Sequence, residues 1–177
     1  MTDEKTLCVM GLVDQVTNRN INLLKAHILE SGCTPDVQEA HVTFGIYSGI
    51  DKDELVQWIQ SVHTKLKRIP LYYSHIGFFS DSGVCFAAPC VNKRLLEFHE
   101  IIHSMFDDYC YDKACLYSLH SERWVPHTTL AILQNSDYAK ILPGIIENFI
   151  PFAGELIELK ITEYQPMRDI CSFDLNY

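Results

Sequence analysis

Two short runs combine residue types that can move protons and hold a phosphate. The first is Ala40-His41-Val42-Thr43-Phe44-Gly45-Ile46-Tyr47, and the second is Pro126-His127-Thr128-Thr129-Leu130-Ala131-Ile132. Each reads His, any residue, Thr, then a large apolar residue, inside a run with the length and β-branched content of a buried strand. Side chains alternate faces along a strand, so His41 and Thr43 share one face, as do His127 and Thr129. If the two strands face each other, two imidazoles and two hydroxyls meet in one small volume. Imidazole titrates near pH 6.5 in its ordinary state, so one ring can accept a proton while the other donates one. Paired in this way, they suit general acid/base attack on a phosphate ester, with the threonine hydroxyls holding non-bridging oxygens. That chemistry needs no metal and no cofactor.

One His-x-Thr run says little, because short motifs arise by chance. Two runs at equivalent places say more. The halves align without a gap at an offset of 86 residues: His41 falls on His127, Thr43 on Thr129, Ile46 on Ile132, Leu55 on Ile141, Ile59 on Ile145 and Val84-Cys85 on Ile170-Cys171. This spacing predicts an internal duplication in the order strand, helix, strand, turn, strand. It also predicts two like lobes, with one motif on each side of a cleft.

The elements that must position the motifs follow from pattern and punctuation. Strands are expected at Leu7–Val13, Ala40–Tyr47, Leu71–Phe79, Val84–Ala88, around the second motif, and as a closing hairpin at Leu156–Tyr164 and Ile170–Leu175. Helices are expected at Asn18–Glu30, ending at Ser31-Gly32; after the capping-box sequence Asp51–Glu54; from the N-cap Asn92 to about Tyr109; and over Ser136–Ile150, where Pro143-Gly144 predicts a break or a delayed start. The segment 107–123 reads as irregular, a candidate lid.

Composition sets limits. The chain has 177 residues, 47% apolar and 21% charged, which suits one globular domain spanning 1–177. A formal charge of −9 disfavours a long nucleic-acid duplex and favours a small anionic substrate or an RNA end. No apolar run reaches the roughly 18 residues of a membrane span. The polar, acidic start lacks a secretory pattern, and seven unpatterned cysteines read as reduced thiols, so a cytoplasmic location is expected.

The paired runs, with Trp124-Val125-Pro126-His127-Thr128-Thr129-Leu130 in the second, resemble the motifs of the 2H phosphoesterase superfamily, which includes 2′-5′ RNA ligase and RNA 2′,3′-cyclic phosphodiesterase proteins. The resemblance spans nearly the whole chain. It implies a bilobal α+β fold, with antiparallel sheets lining a central cleft and helices outside, and metal-independent phosphodiester chemistry on a small nucleotide or RNA end. By the same resemblance His41 and His127 are the acid/base pair, and Thr43 and Thr129 bind phosphate. Arg123 and Arg168 are further candidates for a phosphate contact. Tyr47, Tyr72, Phe78 and Tyr164 are candidates for stacking a base.

A rival pattern is His99-Glu100-Ile101-Ile102-His103, which places two histidines one helical turn apart, as in zinc peptidases. The extended form of that motif fails, because Phe106 and Tyr109 stand where Gly and a third His would be. A nucleotide-binding module without turnover is the third class, although all four motif positions are intact.

Overall fold

The computed structural model describes residues 6–110, 116–134, 137–164 and 167–176. Its elements, in chain order, are β1 (Thr6–Val13), α1 (Gln15–Glu30), β2 (His41–Ser48), α2 (Lys52–His63), β3 (Ile69–Phe79), β4 (Val84–Pro89), α3 (Lys93–His103), β5 (Thr128–Ile132), α4 (Tyr138–Asn148), β6 (Phe152–Tyr164) and β7 (Arg168–Asp174). The fold is α+β. Every pairing between these strands is antiparallel, and they form one sheet with the path β2-β1-β6-β3-β4-β5. The long strand β6 joins its parts: residues 156–164 pair with β1, residues 152–156 pair with β3, and β7 pairs alongside. The two motif strands are the two ends of the path.

The order strand, helix, strand, strand recurs at the expected offset. β2-α2-β3-β4 is followed by β5-α4-β6-β7, and α2 (Lys52–His63) corresponds to α4 (Tyr138–Asn148).

From Leu7 to Val13 β1 is apolar and buried on both of its faces. Leu7, Val9 and Val13 join a large core with Ile21, Leu24 and Ile28 of α1, Leu55, Ile59 and Val62 of α2, Leu95, Phe98 and Ile102 of α3, and Ile141 and Ile145 of α4. Cys8, Met10 and Leu12 point the other way and form a smaller cluster with Ile46. Gly11 leaves room for the Leu156 and Phe44 side chains, which would collide with a β-carbon there.

Local chemistry sets the helix ends. α1 starts at Gln15, earlier than expected, because the Asp14 carboxylate accepts the Val16 and Thr17 N–H groups at 2.8 and 3.0 Å. Asp51 caps α2 and Asn92 caps α3. Gly32 takes the left-handed conformation, φ 77°, after α1. α3 stops at His103, six residues before the expected end, and the chain turns into a short 3₁₀ segment at Asp107–Tyr109. The Asp107 carboxylate is drawn instead to Ser118 and Leu119. α4 runs through Pro143 without the expected break. A proline forfeits one backbone bond, and the burial of Ile141 and Ile145 offsets it. The expected start of that helix at Ser136 lies outside the described residues. Among the described residues no helix is long and apolar enough to cross a membrane.

Candidate active site

β2 and β5 end the sheet path, yet they touch each other. A cleft of about 190 Å³ opens there, and His41, Thr43, His127 and Thr129 all line it. Each motif therefore presents both of its polar side chains to one space.

The two strands share a local irregularity. In β2, Thr43 lies opposite Met10 and Gly45 opposite Val9, so Phe44 is an inserted, bulged residue. In β5, Thr129 lies opposite Phe86 and Ala131 opposite Cys85, so Leu130 is the inserted residue. The bulge shifts the alternation by one. Before it, His and Thr face the cleft; after it, Ile46 and Ile132 do. Tyr47, a candidate for stacking a base, is fully buried in the main core instead. Its hydroxyl lies 3.3 Å from His103 Nδ1. It is not part of the cleft wall.

Each bulge is held by its own carbonyl. Phe44 O accepts the His103 Nε2–H at 2.7 Å, and Leu130 O accepts the Asp36 backbone N–H at 2.7 Å. Thr43 O accepts the Trp124 indole N–H at 3.2 Å. These bonds cover the outer edges of β2 and β5.

The two histidines are oriented alike. His41 Nδ1 donates to Glu39 O at 2.8 Å, and His127 Nδ1 donates to Val125 O at 2.7 Å. With Nδ1 committed to a carbonyl, Nε2 is the atom left for a substrate. Burial lowers both imidazole pKa values from the ordinary 6.5. For His41, the Glu39 carbonyl and the charges of Asp36 and Glu39 oppose that shift, while Lys25 adds to it. For His127, the Val125 carbonyl opposes it and the charge of His41 adds to it. The His127 ring also packs against Phe79 and Phe86, with centroids 5.0 and 5.2 Å away. The two sites therefore differ electrostatically.

Several cleft residues were not apparent from the motifs. Asp36 and Gln38 line the cleft. Lys25, only 6% exposed, holds their loop through Asp36 Oδ2 at 3.2 Å and Gln38 O at 2.7 Å. Their one sequence signal is a position just before the first motif. Tyr117, Tyr164, Met10 and Met167 supply an apolar wall. Tyr117 lines the cleft beside Thr43. Of the aromatic candidates, Tyr164 lines the cleft, Phe78 packs against Tyr138, and Tyr72 is half exposed elsewhere. Arg123 and Arg168 are exposed and do not line it. Residues 111–115 of the expected lid lie outside the described residues.

The His-Glu-x-x-His pattern does not assemble a peptidase centre. His99 Nε2 donates to Tyr117 O at 2.8 Å and His103 Nε2 donates to Phe44 O at 2.7 Å, so these nitrogens serve backbone carbonyls. Glu100 is exposed. The pair instead clamps Tyr117 and the Phe44 bulge to α3.

No family model matches the sequence, and no curated protein does. Solved structures match the fold over the whole chain. A structure described as a phosphoesterase superposes with a TM-score of 0.65 at 11% identity, covering 99% of this chain and all (100%) of that one. E. coli LigT complexed with 3′-AMP superposes with a TM-score of 0.64 at 11% identity, with 99% and 100% covered. TT0787 of Thermus thermophilus gives 0.65 at 13% identity, with 96% and 97% covered. The chain therefore has the fold of the 2H phosphoesterases, the superfamily that its paired His-x-Thr runs resemble.

Proposed function

We propose that this protein is a metal-independent phosphodiesterase that opens a 2′,3′-cyclic phosphate, or cleaves a 2′-5′ linkage, on a small nucleotide or RNA end. The observation that carries this reading is the convergence of His41, Thr43, His127 and Thr129 on one cleft, with both Nδ1 atoms tied to carbonyls. A site of about 190 Å³ suits a terminal phosphate and sugar better than a duplex. LigT has been crystallised with 3′-AMP, NADP+ and ATP, in keeping with a small nucleotide here. Cys8, Cys33, Cys85, Cys90 and Cys171 are free thiols, which fits a reducing compartment such as the cytoplasm.

The electrostatic difference supports one division of roles. His127, in aromatic surroundings and facing a like charge, is the neutral base. Its Nε2 takes a proton from water as the water oxygen attacks phosphorus. His41, beside Asp36 and Glu39, is the protonated acid. Its Nε2–H passes to the ribose oxygen as the P–O bond breaks, so one water is added and both rings exchange protonation state. Thr43 and Thr129 donate to the non-bridging oxygens.

The test is hydrolysis of a panel of 2′,3′-cyclic nucleotides and cyclic-phosphate-ended oligonucleotides, in chelator, by wild type, His41→Ala and His127→Ala. Each substitution is expected to lower kcat by roughly 10²–10⁴-fold. Turnover that both variants retain overturns the reading.

A further inference from the structure

His103 turns a second face away from the Phe44 bulge. Its Nε2–H is committed to Phe44 O, which leaves the Nδ1 lone pair pointing at Asp107 Oδ1, 2.9 Å away. Two electron-rich atoms this close require a shared cation. The Cys110 sulfur completes the group, 3.7 Å from His103 Nδ1 and 3.9 Å from Asp107 Oδ1. The Tyr47 hydroxyl lies 3.3 Å from the same Nδ1. A proton on Nδ1 would satisfy Asp107 alone, whereas a metal ion would use all three donors.

The spacing supports the second case. Tetrahedral zinc with ordinary Zn–N, Zn–O and Zn–S bonds sets its ligand atoms roughly 3.3–3.6 Å apart. The observed separations of 2.9, 3.7 and 3.9 Å lie within about 0.4 Å of that range. The surrounding bonds are those that orient metal ligands. Phe44 O fixes the His103 tautomer, and Leu119 N–H and the Ser118 hydroxyl, both at 2.9 Å, hold the Asp107 carboxylate.

We propose that His103, Asp107 and Cys110 bind one structural Zn²⁺ or similar borderline-soft divalent cation, with water or the Tyr47 hydroxyl in the fourth position. The ligands come from the end of α3 and the turn after it, and Cys110 already bridges to Tyr47 of β2. The ion fastens this turn to the motif strand, and with it the Ser118–Leu119 stretch next to Tyr117. Binding releases the Cys110 thiol proton to solvent. The site lies apart from the His41–His127 cleft and takes no part in its proton transfers, so it stands whether or not the proposed hydrolysis does.

The experiment titrates Co²⁺, and Zn²⁺ in competition, into metal-stripped full-length protein. Wild type is expected to bind one equivalent of Co²⁺ with a thiolate-to-cobalt charge-transfer band. Cys110→Ser is expected to lose that band, Asp107→Asn to weaken Zn²⁺ binding at least tenfold, and Cys90→Ser, at an exposed thiol, to change neither. Zn²⁺ is expected to raise the thermal midpoint of wild type and not of Cys110→Ser. A wild-type protein without the band, or a band that survives in Cys110→Ser, overturns the proposal and leaves a His103–Asp107 ion pair.

Discussion

The indole of Trp124 lies flat on the imidazole of His99, with ring centroids 4.0 Å apart and planes 1° from parallel. From that position its N–H reaches Thr43 O, while His99 holds Tyr117 O. One stacked pair therefore links α3, the segment before the second motif and the backbone of the first. Removing the indole donor alone tests this link. Trp124→Phe keeps an aromatic ring and leaves Thr43 O without its partner. We expect a loss of about 1 kcal/mol in urea unfolding and a several-fold fall in kcat. Unchanged kcat would separate the stack from the geometry of the site.

The pH profile follows from the two imidazoles. Burial lowers both pKa values, so the base remains neutral, and able to accept a proton, to lower pH than an ordinary imidazole. The acid likewise loses its proton at lower pH. The bell of kcat/KM is expected to be centred on the acid side of about pH 6.5, falling as the base protonates and again as the acid deprotonates. A profile that rises steadily to pH 8 contradicts the assignment of both groups.

Asp36 is the larger of the two carboxylate charges that set His41 apart from His127. Its carboxylate raises the His41 pKa against burial, and Lys25 holds it in place. Asp36→Asn is expected to move the alkaline limb of the profile to lower pH and to leave the acid limb in place. If the acid limb moves instead, His41 is the base and the roles are reversed.

Glu100 tests the rival motif directly. It is exposed, and its two flanking histidines are occupied by carbonyls. Glu100→Gln is expected to leave phosphodiester turnover within about twofold and stability within roughly 0.5 kcal/mol. A large loss of turnover would bring the His-Glu-x-x-His reading back.

Asp14 bears on stability. Its carboxylate caps α1 and also accepts the Thr17 hydroxyl and the Glu155 N–H, both at 2.6 Å, tying α1 to β6. Partial burial raises its pKa, but these hydrogen bonds outweigh that and hold it below the usual carboxylate range. The stabilisation is therefore present above an ordinary aspartate pKa of about 3.9 and lost as the pH falls through the lower folded value. Asp14→Ala is expected to cost about 2 kcal/mol at pH 7 with kcat unchanged, measured by urea unfolding and assay.

The chain itself determined the period-two pattern that sets His41 with Thr43 and His127 with Thr129, the recurrence at an offset of 86, and the Asp51 and Asn92 caps. All of these depend on neighbours within a few residues, or on direct repetition, so they are legible from one sequence. What lies opposite a strand is not. The bulges at Phe44 and Leu130 arise from pairing with β1 and β4, and they turn Tyr47 into the core and Ile46 into the cleft. Asp36 enters the site because its backbone binds Leu130, a residue far along the chain. The helical period put His99 and His103 on one face, but only packing decided that this face meets Tyr117, Phe44 and Asp107. Local sequence chooses which side of an element a residue occupies; tertiary contact chooses what that side meets, because hydrogen-bond and packing partners are set by the whole chain.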